Sequence, residues 1–510
     1  MNDPRKRLIS GSIFRTLYFF IQLAVVFVMT PVVIHGLGDD QYGLWILVLS
    51  LFGICALMDF GLSSGLARFI SRAIGRKDED EALAHFNTGF FLYCALGVVV
   101  MAVSAVSALA CYLVIQQQAL AKLVATVVIV LGLRLSLRFP ALAFRGVLSA
   151  HLRYDLYSIA AIVGLVLANV GIYWLMQRGS GIRGIAVVML GASVVESLLI
   201  VVFAKVAFRR LTISLDRYDQ FSKGELLGYG WKTVLCQVGN VLIYRVDPLI
   251  ISVFLGPHIN TFFSVGARLN EYFKQLLSSL IGNMSPVFSQ REGEGDFDAV
   301  REIFLHITKV STFVSVFIGG SLIFYGDEFI QRWLGTRFGE AYEVAVVLCF
   351  GYTLTLMQDP SSSLLYGLSK HHYSAALAIG QGLVNVGLSI PLAFYLGMQG
   401  VAWGTTIGLT MNILLIQPFI VCRIVKLTPA RYYGAISWTL LKTLAPLALF
   451  FFLAERFMLA DYSRIALVAA IQIAVFVPIT LLFILNRTER ALLRAALTRK
   501  NRSPLALLDV

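Results

Sequence analysis

From Ser10 onward the sequence is a succession of apolar runs separated by short polar breaks. Many of them approach or exceed the roughly 20 residues that cross a bilayer. Nothing else constrains the fold as strongly. In lipid every backbone polar group must be bonded internally, so only helices and closed barrels span. Barrel strands would alternate apolar and polar over about 10 residues, and these runs do not alternate. The expected class is an all-α integral membrane protein. Composition agrees: 58% of the 510 residues are hydrophobic and 14% are charged, against about 25% charged in a soluble domain.

The basic start "MNDPRKRLIS" leads into an apolar stretch that reaches about His35. No small-residue cleavage site follows it, so it reads as a retained first span and not a signal peptide. The six cysteines are scattered, with no CxxC pair, and they read as small packing residues. There is no HExxH, phosphate loop or nucleophile elbow. Neither a cofactor, a metal nor an enzymatic activity is expected.

Fourteen spans are predicted, at 10–35, 42–67, 86–115, 119–149, 155–177, 182–207, 226–255, 259–288, 303–325, 341–368, 373–396, 400–424, 435–455 and 463–486. With both termini in the cytoplasm, 25 Lys and Arg fall on the inner side and 7 in outer loops. That asymmetry obeys the positive-inside rule. It assigns most of the net charge of +13 to topology and to contact with anionic lipids, not to nucleic acid. The expected location is the bacterial cytoplasmic (inner) membrane, with the protein multi-pass.

The chain also repeats itself. "NVGIYWLMQRGSGIRGIA" (169–186) matches "NVGLSIPLAFYLGMQGVA" (385–402), with Asn169, Gly171, Gly181 and Gly184 falling on Asn385, Gly387, Gly397 and Gly400. The "LG" at 37–38 falls on "LG" at 255–256, and Phe86 on Phe304. Two parallel six-helix repeats are expected to form two lobes around a central cavity, with two helices added at the C-terminus. The expected division is an N-terminal lobe at 1–207, an inter-lobe linker at 208–225, a C-terminal lobe at 226–425, helices 13 and 14 at 426–486, and a basic tail at 487–510. Such an arrangement suits a transporter.

The segments "LG…YGLW" (37–45), "DFGLSSGLAR" (59–68) and "VDPLIISVFLG" (246–256) resemble those of polysaccharide (O-antigen type) flippases. That family shares a superfamily with multidrug extruders and lipid II flippases, the MATE-like fold. The resemblance covers most of the chain and is strongest over the first 75 residues. It implies alternating-access movement of an undecaprenyl-diphosphate-linked oligosaccharide for cell-surface polysaccharide and lipopolysaccharide biosynthesis. It also implies polysaccharide polymerase machinery as a candidate partner. Lipid II or cationic drugs are alternative cargoes on the same fold. A membrane polysaccharide polymerase is the alternative of another class, but the longest outer loop, "GDEFIQRWLGTRFGE" (326–340), is short for one. Where drug extruders carry an acid in helix 1, this chain has Arg15 and Gln22.

Ten further basic residues, beyond the 32 assigned to the two sides, fall within the predicted spans. Arg134, Arg138 and Arg145 fall at about 0°, 40° and 20° on a helical wheel and form one stripe. A charge at the bilayer centre costs roughly 2.5–3.5 kcal/mol on insertion scales, so such residues face a cavity or a partner. Guanidinium binds phosphate bidentately and stays charged, which suits an anionic lipid-linked head group. The bland alternatives are snorkelling, above all for Arg145, and an ion pair within a lobe for the other two. Gln237, Asn240, Tyr244 and Asp247 fall on one face of helix 7, able to meet sugar hydroxyls or to seal a lobe interface. The candidate substrate-binding set is Arg15, Arg134, Arg138, Arg145, Gln237, Asn240 and Arg245. "RFP" (138–140) aligns with "QDP" (358–360), so one lobe presents Arg138 where the other presents Asp359. Asp247 and Asp359 are the candidate coupling residues. Asp59 is expected to serve helix packing more than substrate contact.

Overall fold

A computed structural model describes residues 4–281, 284–455 and 461–479. The end of the fourteenth predicted span and the basic tail lie outside the described residues. Among the described residues every regular element is helical. The chain divides into two compact units, Met1–Thr261 and Phe262–Val510.

The first unit opens with α1 (Pro4–Leu37), α2 (Asp39–Cys55) and α3 (Leu62–Gly75). Between α2 and α3 the predicted second span breaks. Phe60 and Gly61 both take positive φ, at 47° and 66°, so the helix cannot run through "DFG". Asp59, expected inside a helix, sits in this break and accepts a hydrogen bond from the buried Tyr93 hydroxyl. Four long helices follow: α4 (Glu79–Val114), α5 (Gln118–Ala150), α6 (Tyr154–Met176) and α7 (Gly181–Ala207). α4 starts where the Asp78 carboxylate accepts from the Glu81 N–H at 2.9 Å, which satisfies one orphan donor of the first turn.

Helix α5 has two opposite faces. Gly132, Phe139, Ala143 and Val147 are buried. A Cβ at Gly97 of α4 would lie 2.8 Å from the Ser136 carbonyl oxygen, and one at Gly132 2.4 Å from the Ser104 Cβ. These close approaches fix α5 against α4. On a 100° wheel that packed face lies about 155° from the arginine stripe. The stripe therefore turns away from α4.

The segment after α7 is held along the start of α4. The buried Asn87 donates to the Thr212 carbonyl at 3.1 Å and accepts from the Ser214 N–H at 2.8 Å. Thr88 Oγ1 accepts from the Asp219 N–H at 3.0 Å. Arg210 and Arg217 pair with Glu79 and Asp80. Asp219 then caps α8 (Gln220–Tyr244) through the N–H groups of Phe221 and Ser222. α8 and α9 (Asp247–Phe254) are bent by 41°.

In the second unit α10 (Pro257–Ile281), which begins before the unit boundary, is followed by α11 (Ser285–Gly293), α12 (Phe297–Leu334), α13 (Gly339–Met357) and α14 (Asp359–Gly367). α15 (His371–Met411) folds back on itself at Gly397, where φ is 59° and ψ −140°. The two arms touch closely. A Cβ at Gly400 would lie 2.0 Å from the Leu392 carbonyl oxygen, and one at Gly404 2.7 Å from the Ser389 nitrogen. A π-helical turn at Asn412–Ile416 leads into α16 (Gln417–Val425), then α17 (Pro429–Ala454) and α18 (Tyr462–Ile479). The core centres on Phe304, which stacks on Tyr432 with ring centroids 5.6 Å apart.

Among the described residues each predicted span falls mostly on helix. Among the described residues nine helices are long and apolar enough to cross a membrane, or ten if the bent α8–α9 pair is one span. The difference from fourteen arises at breaks and polar helices. Span 42–67 is divided at Asp59, and α10 carries Arg268, Glu271 and Lys274. Spans 373–396 and 400–424 join through Gly397 into one helical stretch.

Candidate functional site

The arginine stripe lies along α5 in the first unit. At 1.5 Å per residue Arg134 and Arg138 stand about 24 and 18 Å from the helix end at Ala150, and Arg145 about 8 Å. The first two are deep in the span. Arg145 is near its end, with its guanidinium over the Tyr157 ring of α6 at 4.4 Å from the centroid. That is a cation–π contact, worth most where water is scarce.

Arg138 meets a partner that sequence reasoning missed. Its Nη2 lies 3.6 Å from Glu196 Oε1 on α7. Glu196 stands about 16 Å from the α7 end at Ala207, the same depth as Arg138. Room for it comes from α6: a Cβ at Gly164 would lie 3.0 Å from the Glu196 Cβ and 3.1 Å from its Oε2. Tyr18 on α1 is within electrostatic reach of Glu196, Arg138, Arg145 and Tyr157. Arg145 also reaches Asp59 and Tyr93 electrostatically. One turn from Arg138, the Arg134 Nε is buried and has no hydrogen-bond partner among the described residues. The signal for Glu196 was a single carboxylate inside an apolar span that packs beside the stripe.

The cluster thus holds three guanidiniums against two carboxylates, Glu196 and Asp59. Its surplus is positive, and a buried donor on Arg134 is left unmet. An unmet buried donor costs about 1–3 kcal/mol, which an anion in the cluster would relieve.

The remaining candidates are placed as follows. Arg15 is exposed on α1, one turn before Tyr18. On α8, Gln237 is half-buried and Asn240 exposed. The exposed Arg245 lays its stem on α2, where a Cβ at Gly53 would lie 3.4 Å from its Cδ. Asp247 is buried and opens α9. The expected single face through Gln237, Asn240, Tyr244 and Asp247 is therefore interrupted, because the helix breaks between Tyr244 and Asp247. Pro248 lacks the N–H that a continued helix needs. Asp359 lies in the second unit, apart in the chain from the stripe, and opens α14 ahead of Pro360. Lys274 is within its electrostatic reach. Both aspartates stand in a first helical turn, where free N–H groups and the helix dipole favour a carboxylate. That gives each a structural use.

Residues 37–343 match the family described as "Polysaccharide biosynthesis protein". An "Uncharacterized membrane protein EpsK" of Bacillus subtilis (strain 168) is 20% identical over 400 residues, 78% of this chain and 79% of that protein. Several solved structures share the fold, two of them at a TM-score of 0.71. One is an inward-facing multidrug resistance MATE family transporter of the MOP superfamily, with a TM-score of 0.71 and 18% identity over 82% of this chain and 99% of that one. The other is the lipid II flippase MurJ in an inward closed conformation, with a TM-score of 0.71 and 14% identity over 93% of this chain and 98% of that one.

Proposed function

The chain belongs to the polysaccharide biosynthesis protein family and is a multi-pass membrane protein with the transporter fold just described; on that premise we propose that it flips a polyprenyl-diphosphate-linked oligosaccharide across the cytoplasmic membrane. The observation that carries this reading is the α5 stripe, with Arg134 and Arg138 about 24 and 18 Å from the helix end. Guanidiniums at that depth lower the barrier that a low-dielectric core sets against a diphosphate. Arg145, Tyr18 and Arg15 extend the face toward the side that the charge asymmetry assigns to the cytoplasm. There the head group would enter, and alternating exposure would carry it outward. Gln237, Asn240 and Arg245 are proposed to meet its sugars and phosphates, and Asp247 and Asp359 remain proposed coupling groups. Polymerase machinery and anionic lipids are the proposed partners.

Lipid II is the second cargo, because it carries the same diphosphate and the fold match to its flippase covers 93% of this chain. The test is a flipping assay in proteoliposomes. A fluorescent polyprenyl-diphosphate oligosaccharide is followed by its exposure to an impermeant quencher, beside lipid II. Faster exchange of the oligosaccharide lipid than in protein-free vesicles supports the reading. Exchange of lipid II alone would give the protein that cargo, and exchange of neither would overturn the flippase reading.

A further inference from the structure

We propose that Glu196 is an internal rival of the substrate's phosphates for Arg138, so that its protonation links anion binding to proton uptake. The inference rests on the head-group reading above and adds a residue and a regulation to it.

The geometry favours a displaceable pair over a permanent one. Nη2 of Arg138 meets Oε1 of Glu196 at 3.6 Å, beyond hydrogen-bond length, and the Arg138 side chain is 37% exposed. No second, parallel bond locks the fork to the carboxylate among the described residues. A phosphate offers the guanidinium two short parallel bonds. An anion arriving at Arg138 therefore competes with Glu196 and wins on geometry. Glu196 is then left as a carboxylate at mid-span with its partner taken, beside the arriving negative charge. A proton on Glu196 would remove that uncompensated charge.

The charged and ionisable groups that face Glu196 are few. From α5 come Arg138 and, one turn away, Arg134; from α1 comes Tyr18. α6 offers Gly164 at closest approach, and its Tyr157 stands under Arg145. α2 meets α7 where a Cβ at Gly181 would lie 3.3 Å from Gln41 Oε1, about 22 Å along the helix from Glu196. Protonation of Glu196 removes one negative charge and leaves every guanidinium charged. The cluster then has more positive charge for the head group. The step balances: one proton is taken from water onto a Glu196 oxygen as the anion binds, and it returns to water as the anion leaves.

The test is equilibrium binding to the purified full-length protein in detergent. The probe is a short-chain polyprenyl-diphospho-N-acetylglucosamine, whose phosphates are diesterified and hold constant charge between about pH 5 and 8. In the wild type the affinity is expected to rise roughly ten-fold on acidification. Glu196→Gln is expected to bind at neutral pH as the acidified wild type does, with a flat pH profile. Glu196→Asp keeps the charge and is expected to keep the pH dependence, and thermal unfolding of both variants checks their folding. Binding that is weaker in Glu196→Gln at unchanged thermal stability makes Glu196 a support for Arg138 and overturns the proposal. So does a pH profile identical to wild type. These outcomes leave the head-group reading standing, whereas no binding by the wild type at any pH overturns both.

Discussion

Gly181 and Gly397, 216 positions apart, both take a positive φ, at 60° and 59°. Each starts or joins a helix that packs back on its predecessor, α7 on α6 and the second arm of α15 on the first. Other turns repeat as well. φ is positive at Gly38 and Gly256, at Lys77 and Gly295, and at Leu152 and Ser369. Asp78 caps α4 and Asp296 caps α12, each at 2.9 Å.

Alanine at Gly181 must take a positive φ, at a cost of about 1 kcal/mol. At Gly397 ψ is also −140°, a region nearly closed to a residue with a Cβ, at a cost of about 1–3 kcal/mol, so Gly397→Ala is expected to lose more thermal stability in detergent than Gly181→Ala. Gly404→Ala is likewise expected to lose more than Gly181→Ala, since its Cβ would lie 2.3 Å from the Ser389 Oγ and 2.7 Å from a backbone nitrogen. Overpacking of that kind costs roughly 1–3 kcal/mol.

Asn87 is fully buried and bonds both sides of the segment that follows α7. Asn87→Ala leaves the Ser214 N–H and the Thr212 carbonyl without those bonds, at about 1–3 kcal/mol each where they stay dry. Protease sensitivity at residues 208–219 is expected to rise while the transmembrane helices stay protected. Unchanged cleavage would show that the charged pairs with Glu79 and Asp80 suffice.

The Ser222 backbone N–H, with its hydroxyl, holds the Asp219 carboxyl below the usual carboxylate range. A depressed folded value means stability that is present above the unfolded value, about pH 4, and lost as pH falls through the folded one. Asp219→Ala is expected to cost about 1 kcal/mol as a lost N-cap. The variant's deficit should persist at neutral pH and vanish below the folded value. Hydrogen exchange at the first turn of α8 reads it directly.

Tyr93→Phe removes the hydroxyl that Asp59 accepts from. The carboxylate at the α2–α3 break then loses a donor in a half-buried place, and the expected cost is about 1–3 kcal/mol. Thiol labelling of Cys55, which ends α2 beside the turn, should increase. An unaltered turn would mean that Arg145 and the Ser63 backbone hold Asp59 alone.

The helices were legible because hydropathy depends on long stretches, and the repeat because its turns need glycine or aspartate at fixed places. Breaks were harder to read. Pro248 and Pro418 lie inside predicted spans, where proline predicts a kink, and each opens a short helix, as Pro360 does; a hydropathy window, averaging across one proline, does not register the break. The arginine stripe followed from a wheel, since Arg134, Arg138 and Arg145 share one helix. Glu196 did not, because its pairing needs α7 to pack beside α5, which no local pattern in either segment states. Gly164 likewise gains its meaning only from the carboxylate that lies against it.

The central claim is that Arg138 serves the charge of the head group. The most direct measurement compares flipping of two lipids with the same polyprenyl tail and sugar, one joined by a diphosphate and one by an uncharged linker. Wild type and Arg138→Gln are reconstituted at equal insertion. The account predicts that Arg138→Gln slows the diphosphate lipid at least roughly ten-fold, the loss of about 1.4 kcal/mol or more of charge-assisted bonding. The neutral lipid should move at the same slow rate in both proteins. Equal effects on the two lipids, or none on the diphosphate lipid, would contradict it.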